Sequence, residues 1–178
     1  NLPVSSALPR LKAALADGNS AVLTAPPGSG KTTVVPLALL EEPWLAGKRI
    51  LMLEPRRMAA RAAAWRMSDI LGEPSGKTVG HHIRLERNFS RDTQIVVLTE
   101  GILARQILSD PELSDTGLLI FDEFHERSIN ADFGLALALD VQRSIRPDMR
   151  ILVMSATLDA TAVARHLAQG GAPVVSAE

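Results

Sequence analysis

Cysteine is missing from all 178 residues. That excludes disulfides and thiolate metal sites, and it fits a reducing compartment such as the cytoplasm. Tyrosine is missing too, and aromatic residues make up only 3% of the chain. So few aromatics argue against an aromatic platform for stacked bases as the main binding mode. Neither sign of charge is in excess: 19 basic side chains face 20 acidic ones, for a net charge of −1. The chain is no polycation, so any contact with a polyanion has to come from a local patch. No apolar run approaches the ~18 residues that a membrane helix needs. The first residues, Asn1-Leu2-Pro3-Val4, show neither an initiator Met nor the basic-then-apolar order of a signal peptide. We expect a piece of a longer protein, folded as one domain over residues 1–178.

What is present is a globular composition, 46% hydrophobic and 22% charged. Apolar periodicity predicts helices over Leu8–Ala16, Thr32–Glu41, Met58–Leu71, Gly101–Leu108, Ala131–Ile145 and Ala160–Leu167. Short apolar or β-branched runs predict strands over Ser20–Thr24, Arg49–Glu54, Thr78–Arg84, Gln94–Leu98, Leu118–Phe121, Arg150–Met154 and Pro173–Val175. Glu73 to Gly76 and Asn88 to Asp92 read as loops. Strands alternate with helices, and several strands are apolar throughout. The expected fold is α/β: a mostly parallel sheet between two helical layers. Such sheets place their chemistry where strands end.

The run Ala25-Pro26-Pro27-Gly28-Ser29-Gly30-Lys31-Thr32 leaves the first strand and enters a helix. This is the setting of a phosphate-binding P-loop. Gly28 and Gly30 let backbone N–H groups turn toward phosphate oxygens, and the helix N-terminus adds its dipole. Lys31 supplies a charge for the β- and γ-phosphates, and the Thr32 hydroxyl suits a magnesium ion. Ala25 stands where the pattern usually has glycine, which is tolerable if its φ is negative. A plain Gly/Pro turn is the competing explanation, and it gives no reason for Gly-Lys-Thr.

Leu118-Leu119-Ile120-Phe121 runs into Asp122-Glu123-Phe124-His125. An apolar strand ending in two carboxylates is a Walker B arrangement. Asp122 is then placed to reach the metal, and Glu123 to activate water. Ser155-Ala156-Thr157 and Thr99-Glu100-Gly101 also follow strands, although Ser and Thr there serve equally well as helix caps. Arginines cluster at 56, 57, 61 and 66, then at 84, 87 and 91. On composition alone these are solvated faces. His81-His82 is no metal pair, because neighbours on a strand point to opposite faces. Trp44 and Trp65 read as packing residues, and Glu126 and Arg127 as braces of the turn after the acidic pair.

Taken in order, these stretches resemble the first RecA-like lobe of a superfamily 2 helicase of the DEAH-box group. Ala25–Thr32 resembles motif I, and Glu54-Pro55-Arg56-Arg57-Met58-Ala59-Ala60-Arg61 resembles motif Ia. Thr99–Gly101 resembles motif Ib, Asp122–Arg127 motif II, and Ser155–Thr157 motif III. Phe124, where most of the group has Ala, is similar to the bacterial HrpB branch, as are Leu53–Arg57 and the alanine opening of motif I. Pro27 replaces the Thr often seen in motif I.

The resemblance implies a P-loop NTPase fold and an ATP-dependent helicase acting on single-stranded RNA or DNA through its backbone. It implies that Pro27, Gly28, Ser29, Gly30, Lys31, Thr32 and Thr33 wrap the triphosphate. Thr32 and Asp122 would hold Mg2+, and Glu123 would be the catalytic base. His125, Ser155 and Thr157 would couple hydrolysis to strand movement, and Arg66 would stack on the nucleotide base. Arg56, Arg57, Thr99 and Gly101 would lie along the nucleic acid. It also implies a second RecA-like lobe, beyond this stretch, carrying arginine fingers. Two other readings share the P-loop: a P-loop kinase, and a binding module that ATP only switches. The kinase does not account for the strand-borne Asp-Glu-x-His followed by Ser-Ala-Thr, and the switch differs in having little turnover for Glu123→Gln to remove.

Overall fold

The computed structural model of the protein describes residues 2–124, 129–156 and 160–177, with residues 129–131 described by their backbone only. Eight strands form one sheet: β1 (Ser20–Thr24), β2 (Arg49–Leu53), β3 (Val79–Ile83), β4 (Glu86–Asn88), β5 (Ile95–Leu98), β6 (Thr116–Phe121), β7 (Arg150–Ser155) and β8 (Val174–Ser176). Their order across the sheet is β4-β3-β5-β2-β6-β7-β1-β8. Every neighbouring pair is parallel except β3 with β4. Parallel strands need crossovers, and helices run in them: α2 (Lys31–Leu39), α3 (Arg57–Leu71), α4 (Glu100–Ser109), α5 (Ile129–Ser144) and α6 (Ala160–Leu167), while α1 (Leu8–Asp17) precedes β1.

The helices divide between the two faces as the strand pattern requires. Leu23, Ile50, Met52 and Ile120 point to one face and pack with residues of α1, α2 and α3. Val22, Leu51, Leu53, Leu119 and Phe121 point to the other and pack with residues of α4, α5 and α6. Because both faces are covered, the central strands are apolar at successive positions. The three-layer expectation holds.

Two expectations fail. β4 occupies part of what reads as loop, because Glu86-Arg87-Asn88 has no apolar member to signal a strand. Its hairpin turns at Leu85, which sits in the left-handed region at φ 65° without being Gly or Asn. Trp65 is not a packing residue: it is 48% exposed, and its ring lies under the Arg61 guanidinium at 5.0 Å. Trp44 is half-buried beneath Arg150.

The end of the sheet where the strands begin is tied down by side chains that bond to backbone carbonyls. Gln142 donates to the carbonyls of Asn19 and Met149, both at 2.7 Å. Arg146 donates to the carbonyls of Leu113 and Thr116, both at 2.8 Å. Arg49 holds the carbonyls of Thr93 and Ser90, both at 2.9 Å. The chemistry-bearing residues gather at the opposite rim.

Candidate nucleotide site

Five strands deliver polar residues to that opposite rim. The loop after β1 starts at Ala25, whose N–H donates to the Ser155 carbonyl at the end of β7 (3.1 Å). Ala25 is not among the residues with positive φ, so glycine is not needed there. It is needed further on. Gly28 has φ 76° and Gly30 has φ 89°, a region in which a Cβ is strained. Gly30 is the N-cap of α2 and offers no side chain to its first amides, leaving them to an outside acceptor. Ser29 is buried, and its Oγ finds no partner.

Lys31, first residue of α2, is only 3% exposed, and its Nζ lies 3.6 Å from Glu123 Oε1. Thr32 donates its hydroxyl to Asp122 Oδ2 at 2.7 Å. Asp122 holds its place by donating its N–H to the Leu53 carbonyl, one ladder step past the end of β6. Its other carboxylate oxygen accepts the Glu123 N–H at 2.9 Å. Glu123 sits at φ 54°, the left-handed region, which costs a non-glycine residue about 1–3 kcal/mol. Strain at this position turns the second carboxylate back toward Lys31 instead of outward.

Sequence reasoning gave Glu54 only a motif and no role. It follows β2 directly, with its N–H donating to the Leu98 carbonyl at 2.9 Å. Its side chain lies 97% buried (3% exposed), on the same face of the sheet as Met52. Burial, a hydrogen bond with Asp122 and the nearby charges of Asp122 and Glu123 push its carboxyl up to about 11, against the pull of Arg56. Glu54 is therefore neutral near pH 7. Its only mark in the sequence is a carboxylate at the end of an apolar strand.

These groups wall a cavity of about 410 Å3. Residues Gly28 to Thr33 form one side, Glu54 and Glu123 the floor, and Ala59, Ala62 and Ala63 of α3 a small-residue wall. Arg66 of α3 also lines the cavity. Arg56 also lines the cavity, rather than only the outer surface its expected nucleic-acid role requires. Arg57 points away: it donates to the Arg84 carbonyl at 3.2 Å and, with the Arg61–Glu86 ion pair (3.2 Å), ties α3 to the β3–β4 hairpin. Thr99 and Gly101 stand at the start of α4, after β5 on the same rim, and a side chain at Gly101 would meet open space. Ser155 ends β7, with its carbonyl on the P-loop. Pro27 lies in that loop. His125, Glu126, Arg127 and Thr157 fall outside the described residues.

The donor set, one hydroxyl and one carboxylate already in contact, consists of hard oxygens of the kind magnesium prefers. The unpartnered Ser29 Oγ and Glu54 Oε1 add buried acceptors that protein groups leave unused. The residues fit a metal–triphosphate.

The chain matches the model of the family described as DEAD/DEAH box helicase over residues 6–165. It belongs to that family. Among DEAD/DEAH box helicases it is 49% identical, over all 178 residues, to the ATP-dependent RNA helicase HrpB of Escherichia coli, covering 22% of that protein. It is 40% identical over 143 residues to the DExH-box ATP-dependent RNA helicase DExH1 of Arabidopsis thaliana, covering 78% of this chain and 14% of the relative. The crystal structure of E. coli DEAH/RHA helicase HrpB superposes with a TM-score of 0.93 at 47% identity, covering all of this chain and 22% of that one. The chain thus spans about a fifth of the helicases it matches, and its fold is their RecA-like fold.

Proposed function

We propose that this chain is the ATP-binding lobe of an ATP-driven helicase that moves along single-stranded RNA. The observation that carries the proposal is the meeting of two distant segments at one rim: Lys31 and Thr32 of the P-loop touch Glu123 and Asp122. In this reading Gly28 to Thr33 cradle the triphosphate, and Lys31 takes up its β- and γ-oxygens. The ion pair with Glu123 then gives way and the second carboxylate is released. Glu123 accepts a proton from the water that attacks the γ-phosphorus as the bond to ADP breaks. Thr32 and Asp122 would hold magnesium, which would supply charge neutralisation for the triphosphate. Arg66 lies over the base against the alanine wall of α3.

Arg56, Arg57, Thr99 and Gly101 serve the nucleic-acid backbone along the rim, where contacts fix register without reading sequence. His125, Ser155 and Thr157 couple the two sites. A second RecA-like lobe supplies the arginine fingers, so residues 1–178 alone hydrolyse ATP slowly. Loss of such a finger costs on the order of a thousandfold or more in comparable systems. The cysteine-free composition supports work in the cytoplasm.

Phosphate release by the intact protein, with and without single-stranded RNA, tests the reading. ATP hydrolysed to ADP and inorganic phosphate faster with RNA supports it, and equal stimulation by DNA widens the substrate class. A phosphorylated small-molecule acceptor in place of free phosphate would establish a kinase. Tight binding without turnover would establish a nucleotide switch.

A further inference from the structure

The second group of arginines in the sequence, at 84, 87 and 91, has no part in the helicase reading. One of them, Arg87 of β4, lines a separate cavity of about 320 Å3. Arg49 at the start of β2, His82 of β3 and Arg105 of α4 line it too. Among the described residues, no carboxylate does. In a chain of net charge −1, three guanidiniums around one hollow are a local concentration and not a general basic surface. The hollow of about 710 Å3 that shares Arg49 and Arg87 with it also includes Asp92 and Asp115, so its charge is partly cancelled.

Arg49 is committed to the fold through the carbonyls of Thr93 and Ser90. Arg87 and Arg105 are exposed, and neither meets a carboxylate or a carbonyl among the described residues. The Phe89 ring carries the Arg87 guanidinium at 4.3 Å and that of Arg49 at 5.3 Å, so it is no open platform for a base. Leu51, Val96 and Ile102 are 1%, 2% and 6% exposed, too covered to seat an apolar anchor of a partner protein. What the cavity offers is guanidinium forks, the Gln106 amide and the Ser109 hydroxyl, donors suited to phosphate oxygens. Burial and the Arg87 and Arg105 charges hold the His82 imidazole below its ordinary value, a crowding of cations that a bound anion relieves.

The cavity is continuous with the rim through α4. Gly101, Arg105 and Ser109 are spaced i, i+4 and i+8, share one face of that helix, and are all exposed. At 1.5 Å per residue this face runs about 12 Å from the rim toward the end where the strands begin. We propose that Arg87 and Arg105 form an anion site for the backbone of single-stranded RNA, a second stretch of track that takes up phosphates leaving the rim at Gly101 along α4. The proposal rests on the reading of the rim as a nucleic-acid track. It gives the site no base preference, because guanidinium–phosphate contacts fix register without reading sequence.

The test is binding of labelled oligouridylates of graded length to the intact helicase, read by fluorescence anisotropy across a salt series. Each phosphate contact to a single strand contributes about 0.7 to the slope of log affinity on log salt. The double variant Arg87→Gln, Arg105→Gln is expected to lose about 1.4 of slope with long strands, which is about 25-fold in affinity near 0.1 M salt. Strands too short to leave the rim should bind it as they bind wild type. Arg87→Lys with Arg105→Lys keeps the charges and should keep the slope. If the double variant does not fold, Arg105→Gln alone takes its place, with an expected loss of about 0.7. An unchanged slope with long strands overturns the proposal. So does an equal loss with short and long strands, because the arginines would then act on the rim itself. An unchanged RNA slope together with lost binding of a labelled oligoglutamate also overturns it, in favour of an acidic protein partner. Wild-type protein that binds no oligouridylate of any length fails the helicase reading instead, which separates the two failures.

Discussion

Thr32 and Asp122 are 90 residues apart in the chain and 2.7 Å apart in space, hydroxyl to carboxylate. The contact exists because β1 and β6 are parallel strands separated only by β7, so their ends reach one rim. Everything proposed for the cavity depends on this closeness, and so do the predictions that follow.

Lys31→Ala removes the one buried ammonium of the cavity wall. Charged hydrogen bonds of this type contribute about 1.5–3 kcal/mol each, so affinity for an ADP analogue should fall at least about tenfold. Equilibrium titration of the fluorescent analogue checks it. Unchanged affinity would remove Lys31 from its assigned place.

Glu123→Gln keeps the size of the side chain and takes away its basicity. Turnover in the intact protein should drop by about 10²–10⁴, the usual worth of a general base, while nucleotide affinity holds or rises. Steady-state phosphate release against analogue binding separates the two effects. Parallel losses in both would mean that Glu123 serves binding rather than chemistry.

Glu54 carries a pH signature in stability. Its folded carboxyl titrates near 11 against an ordinary value of 4.5, chiefly through burial. Between those values the unfolded chain gives up a proton that the folded chain keeps. Stability from this group is complete below about 4.5 and declines as pH rises toward 11. Glu54→Gln abolishes the titration, so its Tm should exceed that of wild type at pH 8 by more than at pH 5. A widening of about 2–4 °C corresponds to roughly 1 kcal/mol in a domain of this size. Parallel Tm curves across that range would show that the carboxyl ionises freely.

Arg146→Ala is the contrasting case at the far end of the sheet. It frees the carbonyls of Leu113 and Thr116 and breaks the ion pair with Asp148 (2.9 Å). Destabilisation of roughly 2–3 kcal/mol is expected from the carbonyls left unmade. Denaturant unfolding measures it. Analogue affinity should not change by more than about twofold, and a larger change would link that rim to the cavity.

The amino-acid sequence by itself determined the alternation of strands and helices, because a strand buried on both faces is apolar at every position and a helix repeats every 3.6 residues. It determined the loop chemistry as well: Gly28 and Gly30 mark backbone that turns left-handed, and Lys31 and Thr32 follow at fixed spacing. It missed β4, a strand of three polar residues paired with β3 and braced by the Arg61–Glu86 ion pair. It misjudged Trp65, since a ring that stacks under an arginine gives the same letter as a ring in the core. It passed over Glu54, because burial cannot be read from a carboxylate. Only the tertiary structure decided that Glu54 lies beside Asp122, that Arg56 faces the cavity while Arg57 ties down the hairpin, and that Glu123 is bent back toward Lys31. Those facts come from strand order and register, which bring distant ends together, and no local pattern of side chains encodes them.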